Sequence, residues 1–255
     1  MNTKKIIILT VGLIALTSGA GQCQITKDEA LSKFVAAGMA YKEGKYDAAI
    51  NLYTEILEGS RVSGPLYYNL GNSYFKKGQV GKAALNYERA KKFIPRDSDL
   101  KFNELYIQSH IKYYGEEKES RGLAQEAFLR FTQFYTVDEM VVILLGLVLG
   151  MGVLLLLAMY FGWPFQWDRR IFTSLVLVFA VFTAGLFGKI TLEKDTSVIM
   201  DDTESYFEPR SDSTVHYKLS EGMTVKVLKS EGAWSKVQRS DGKIGWIDSK
   251  DLEKI

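Results

Sequence analysis

Three apolar runs interrupt an otherwise mixed chain, and two different periodicities fill the space between and after them. Ile6 to Ala15 is the first run; Met140 to Trp163 and Ile171 to Gly188 are the others, and neither of these two holds a charge. At about 1.5 Å of rise per residue, Met140 to Trp163 reaches about 36 Å, more than the ~30 Å hydrocarbon core of a bilayer. Ile171 to Gly188 reaches about 27 Å, which a few flanking residues complete. The pattern predicts two antiparallel transmembrane helices, 140–163 and 171–189, joined by a turn at 164–170. Trp163 and Trp167 fall where interfacial aromatics sit, and Arg169 and Arg170 mark the turn as cytoplasmic. A buried hairpin of a soluble protein is the alternative, but no other segment is suited to cover it.

Between the first two runs the apolar positions follow a helical period, and the pattern repeats. Gly44, Tyr46, Ala49, Tyr53 and Ile56 return 34 residues later as Gly78, Val80, Ala83, Tyr87 and Ala90. That interval is the period of the tetratricopeptide repeat, a helix-turn-helix unit. The second copy also holds Leu70, Gly71, Tyr74 and Pro95 in the expected places, whereas Arg61 stands where the first copy would have its proline. Gly71 and Ala83 let two helices approach, Tyr74 and Tyr87 fill the gaps, and Pro95 stops the second helix. Gly64-Pro65 opens the first helix of that copy. Asp97 or Ser98 caps a further helix to about Tyr114, which closes the stack. Residues 24–115 are thus expected to form an all-α solenoid.

Its concave face is expected to carry Phe34, Tyr41, Tyr68, Asn69, Asn72, Phe75, Phe102 and Tyr106 as partner-binding residues. The same aromatics could instead be core within the stack. Asn72 sits where some tetratricopeptide domains grip a peptide carboxylate. Phe34, Asp99 and Asn103 occupy the places of that clamp's basic partners, so carboxylate capture is not expected. The lysines and arginines from Lys76 to Arg96 read as a solvated face rather than an anion site.

Residues 116–139 link this stack to the membrane. Glu116 to Arg121 is polar; Ala124, Ala127, Phe128, Phe131, Phe134 and Tyr135 then recur at helical spacing. They predict an amphipathic helix, either at the lipid interface or folded back on the stack. Past Lys189 the period changes to two. Thr196–Met200, Val215–Leu219, Thr224–Leu228, Trp234–Gln238 and Ile244–Ile247 read as strands, with turns at Glu221-Gly222, Glu231-Gly232 and Asp241-Gly242. Leu219 to Leu228, Gly232 to Val237, Asp241 to Ile247 and Asp251-Leu252 together resemble the bacterial SH3-type domain, here 190–255. Such a resemblance implies a groove for peptides or cell-wall material, with Tyr206, Phe207, Tyr217, Trp234 and Trp246 as lining candidates. Trp246 reads as core rather than groove, with only one or two of the others facing solvent.

The N-terminus reads as a signal peptide, 1–23: Lys4 and Lys5, then the apolar run, then small residues. Ser18 and Ala20 suit one cleavage site and Gly21 and Cys23 another; lipidation of Cys23 meets Gln22 where a small residue is wanted, and retention as an anchor is the remaining alternative. Either way, the following domain is exported, the hairpin dips in and returns, and 190–255 lies on the same side.

Composition changes the picture only now. The mean hydropathy of −0.05 averages polar domains with apolar runs. The net charge of +2 in 255 residues gives no sign of nucleic-acid binding. One cysteine and two histidines, His110 and His216, exclude a disulfide framework and leave little for a metal centre or catalytic triad. No nucleophile elbow, phosphate loop or metal motif appears, so neither enzymatic activity nor a cofactor is expected.

The expected architecture is a multidomain membrane protein: an all-α tetratricopeptide-repeat solenoid, a two-helix transmembrane hairpin and a small all-β SH3-like barrel. This order resembles the BatE family, the E component of the Bacteroides aerotolerance operon. The resemblance implies a non-enzymatic component of the bacterial inner membrane with both large domains in the periplasm. It implies membrane and periplasmic protein partners, among them von Willebrand factor A domain proteins of the same operon, and a role in envelope integrity or stress tolerance. The alternative is an envelope sensor that binds peptidoglycan through the SH3-like domain.

Overall fold

The computed structural model describes residues 25–59, 61–111, 122–162 and 165–255. The signal peptide at 1–23 with Cys23, the polar stretch Glu116 to Arg121, and Trp163-Pro164 lie outside the described residues. Two helical hairpins come first: α1 (Lys27–Lys42) with α2 (Tyr46–Glu58), and α3 (Gly64–Lys76) with α4 (Val80–Lys91). α5 (Ser98–His110) follows and packs on α4. Side chains cap the helix starts. Thr26 accepts from the Glu29 N–H, Ser63 from Leu66, and Asp97 from Asp99 and Leu100. Each hairpin turns through a left-handed glycine, Gly44 at φ 76° and Gly78 at φ 74°, where a side chain would be strained.

The helices pack through small residues against large ones. A Cβ on Gly71 would lie 2.6 Å from the Tyr87 ring, so only glycine lets α3 and α4 close around that buried phenol. Ala37, Ala49, Ile50, Tyr53, Ile56, Leu66 and Leu70 form one core across α1–α3.

α6 (Leu123–Phe134) leads into α7 (Val137–Phe161) and α8 (Phe165–Lys194), which pair as an antiparallel hairpin. α7 opens with a reciprocal cap between Thr136 and Glu139 and closes at left-handed Gly162. Val137–Phe161 and Arg170–Lys194 are both long and apolar enough to cross a membrane, at mean hydropathy 3.0 and 2.2. Side chains such as Leu149, Leu156, Leu177 and Phe187 are exposed all along them. α8 begins at Phe165, within the segment expected as the turn at 164–170, and its apolar span starts at Arg170. At its other end α8 runs past the apolar stretch to Lys194.

α6 rests on the C-terminal half of α8. Phe131 and Phe128 seat over Gly185 and Gly188, where added Cβ atoms would lie 2.5 and 2.7 Å from the rings. Lys189, buried beneath α6, donates to the Thr132 carbonyl at 3.1 Å and pairs with Glu193 at 3.0 Å. Arg96, just after α4, holds Glu139 at the head of α7 and lies over the Phe134 ring. The amphipathic helix therefore binds the root of the hairpin.

The C-terminal sheet is antiparallel throughout, in the order β3-β2-β6-β5-β4-β1-β7. Its strands are β1 (Thr196–Ile199), β2 (Thr203–Tyr206), β3 (Val215–Leu219), β4 (Thr224–Glu231), β5 (Trp234–Gln238), β6 (Ile244–Asp248) and β7 (Leu252–Lys254). Gly222, Gly232 and Gly242 turn the hairpins with positive φ. β2 and β7 were not expected: β2 buries only Ser205, and β7 is three residues long after a 3-10 turn.

The stack and the sheet share a core. Ala83, Ala84, Leu100, Ile107 and Ile111 cluster with Val198, Ile199, Leu219, Met223 and Val225. Gly81 is the point of closest approach: its N–H donates to Glu221 at 2.7 Å, and a Cβ there would lie 2.7 Å from the Met200 carbonyl oxygen. Arg89 reaches Glu253 at 3.1 Å and Lys92 reaches the Ile255 carbonyl at 3.1 Å. Since α7 and α8 are antiparallel, the stack and the sheet emerge from the same end of the hairpin, where this contact joins them.

Candidate functional site

Three helices contribute the residues expected on the concave face. α1 carries Phe34 and Tyr41, α3 carries Tyr68, Asn69, Asn72 and Phe75, and α5 carries Phe102 and Tyr106. On α3 the spacing is i, i+1, i+4 and i+7, which keeps all four on one stripe of the helix.

A cavity of about 300 Å³ opens between α1, α2 and α3, lined by Gly38, Tyr41, Lys42, Tyr53, Asn69 and Asn72. Asn72 is fixed from behind. Its Oδ1 accepts from the Tyr87 hydroxyl at 2.6 Å and from Asn103 Nδ2 at 2.9 Å, and Asn103 Nδ2 also reaches the Tyr68 hydroxyl at 3.2 Å. Both lone pairs of the Asn72 carbonyl are thereby used. Its Nδ2 remains as a donor, and among the described residues nothing accepts from it. Burial pushes the phenols of Tyr41, Tyr53 and Tyr87 above their ordinary value, so all three stay neutral. Lys42 is the one charge among the residues lining the cavity.

The expected residues divide into three groups. Tyr41, Asn69 and Asn72 line the cavity, with Tyr68 in the network behind it. Phe34 packs edge-on against Tyr53 at 5.6 Å and belongs to the helical core. Phe75, Phe102 and Tyr106 form a separate aromatic cluster, with Phe102 and Tyr106 exposed. Sequence reasoning left Tyr53, Tyr87 and Asn103 out of the binding set. The 34-residue repeat marks both tyrosines as interior, and nothing in the periodicity says that one of them orients an amide. Among the described residues no cluster of His, Cys, Asp or Glu could hold a metal ion.

On the sheet, the four expected ligand-binding residues also divide. Tyr206 meets Trp234 edge-on at 5.7 Å, and both are half-buried. Tyr217 and Trp246 are instead buried. Trp246 lies opposite Tyr206 and Lys236 in register, and the Tyr217 hydroxyl donates to the Lys243 carbonyl at 3.3 Å beneath the Arg239 guanidinium. A domain this small fills its interior with large aromatics. Phe207, exposed, stacks on His216 at 4.1 Å.

An antiparallel sheet with glycine-turned hairpins and a buried Gly245-Trp246 strand defines an SH3-type module. Residues 206–253 match the family model of the bacterial SH3 domain. β1 and most of β2 precede that match, and β1 packs against α4. A comparison with curated proteins finds no match.

Proposed function

We propose that this chain is a membrane-anchored scaffold that binds extended protein segments in the α1–α3 groove, with the SH3-type domain as a second binding module. The helical stack is read here as a tetratricopeptide-repeat solenoid, and the hairpin as a bacterial inner-membrane anchor with both large domains in the periplasm. The observation that carries the reading is the pre-oriented Asn72 amide beside Asn69 and Tyr41, in a cleft whose lining is neutral apart from Lys42. Neutral donors and acceptors of this kind suit the peptide backbone rather than an anion, and pre-orientation lowers the entropy cost of binding. The resemblance to the BatE family supplies the class of partner: membrane proteins with von Willebrand factor A domains.

Asn72→Asp tests the groove. It removes the amide donor and places a carboxylate there, and it should lower partner recovery about tenfold in native-membrane crosslinking, a loss of about 1.4 kcal/mol. An unchanged partner set after Asn72→Asp and Asn69→Ala would falsify the reading. Recovery of cell-wall material alone would replace it with peptidoglycan binding through the SH3-type domain.

Orientation has its own check. Alkaline phosphatase, which needs an oxidising compartment, should be active when fused after Ile255 and inactive when inserted at Gly162. The opposite result would place both domains in the cytoplasm.

A further inference from the structure

Among the described residues α1 is the first helix of the stack, and none of them covers its outer face. Leu31, Val35 and Met39 stand at i, i+4 and i+8, exposed by 60, 54 and 61%. The opposite face is already used, with Ala37 buried and Phe34 and Tyr41 packed against the same core. A helix apolar on both sides at the end of a stack is a contact surface unless it is capped.

The charges around this stripe say what fits it. Asp28 precedes Leu31 by almost one turn, and Lys42 follows Met39 by the same interval; Lys27 and Glu43 stand just beyond them. Lay a second α1 antiparallel on the first, with a two-fold axis at Val35. Val35 then meets its own copy, and Leu31 meets Met39. Asp28 faces Lys42, and Lys27 faces Glu43. Every pair is complementary, and the two-fold axis makes each pair other than Val35 with its copy occur twice. Within the chain, Lys33 is tied to Glu29 and Glu55, whereas Lys27, Asp28 and Lys42 have no ion-pair partner among the described residues. A heterologous partner would have no reason to match this internal symmetry.

We infer that α1 is a two-fold contact between two copies of this chain, packed antiparallel about Val35. One pair of helices buries less surface than a stable dimer in solution needs. Tethering both copies to one membrane raises their effective concentration and makes a small self-complementary contact sufficient.

The test uses the full chain in native membranes, with Cys23→Ser so that an introduced thiol is the only one. With Val35→Cys, a short bis-maleimide should give a species of twice the chain mass. Ser230→Cys on the sheet is the collision control and should give little. Adding Asp28→Lys should lower the Val35→Cys yield about fivefold, and Asp28→Lys with Lys42→Asp should restore it. A monomeric Val35→Cys chain, equal crosslinking from Ser230→Cys, an adduct of any other mass, or no rescue by the charge exchange would each overturn the inference. These positions are exposed, so the variants keep the fold.

Discussion

Replacing Asp241 with asparagine should cost about 3–5 kcal/mol of local stability in the β5–β6 hairpin. Asp241 and Arg239 flank the turn at Gly242, and their side chains are only 6 and 5% exposed. The guanidinium donates from two nitrogens to both carboxylate oxygens, and the Lys243 N–H adds a third bond at 3.2 Å. Arg239 also lies over the Tyr217 ring at 5.1 Å, so the charge is embedded in the domain. Asparagine keeps the shape but breaks the buried pair by removing the carboxylate that both guanidinium nitrogens hold. In the full chain in detergent, hydrogen exchange of the β5–β6 amides should speed up about 10²- to 10⁴-fold. The same pair gives a pH dependence. The guanidinium holds the Asp241 carboxyl down at about 2. The stabilisation is therefore complete above the ordinary aspartate value near 4 and is lost as pH falls toward 2. The variant should lack that acid limb. Equal exchange in both proteins, or an acid limb surviving in the variant, would refute this account.

Gly81→Val should open the contact between stack and sheet. Its Cβ would meet the backbone oxygens of Met200 and Ile199 at 2.7 and 3.0 Å, and neither can swing aside as a side chain would. The expected loss is about 2–3 kcal/mol, from overpacking and from weakening the bond to Glu221. Glu221→Ala, which removes only the bond, should lose about 1 kcal/mol. Limited proteolysis between β1 and β2 reports the opening. Gly146→Val in the hairpin, with open space around its Cβ, is the control. If Gly81→Val is as resistant as that control, the contact does not hold the two domains together.

Much of this architecture is legible in the sequence because each element carries its own period. The charge-free runs announce α7 and α8, and the glycines spaced by 34 announce the turns of α1–α2 and α3–α4. What escapes are features set by tertiary context. β2 is too short and polar to show alternation, and β7 exists because β1 offers it an edge. Ala83 and Ala84 read as helix-on-helix residues, yet they also face a sheet that begins more than a hundred residues later. Asp241 reads as a turn former, and only the fold brings its neighbour Arg239 inside with it. The groove was half visible. Asn69, Asn72 and Tyr41 follow from repeat position, whereas the bonds from Tyr87 and Asn103 that aim the Asn72 amide depend on how three helices meet.

The contact at Gly81 also has a timetable. Its partner Glu221 lies 140 residues further along the chain. At ~5–20 residues per second of synthesis, that separation is about 7–28 s. Throughout that interval the Val80, Ala84 and Ile111 surface has no sheet to lie against, and the α7–α8 hairpin must be synthesised before one arrives. A chain stalled inside the hairpin would keep that surface bare, visible to the proteases and chaperones that recognise unfinished proteins.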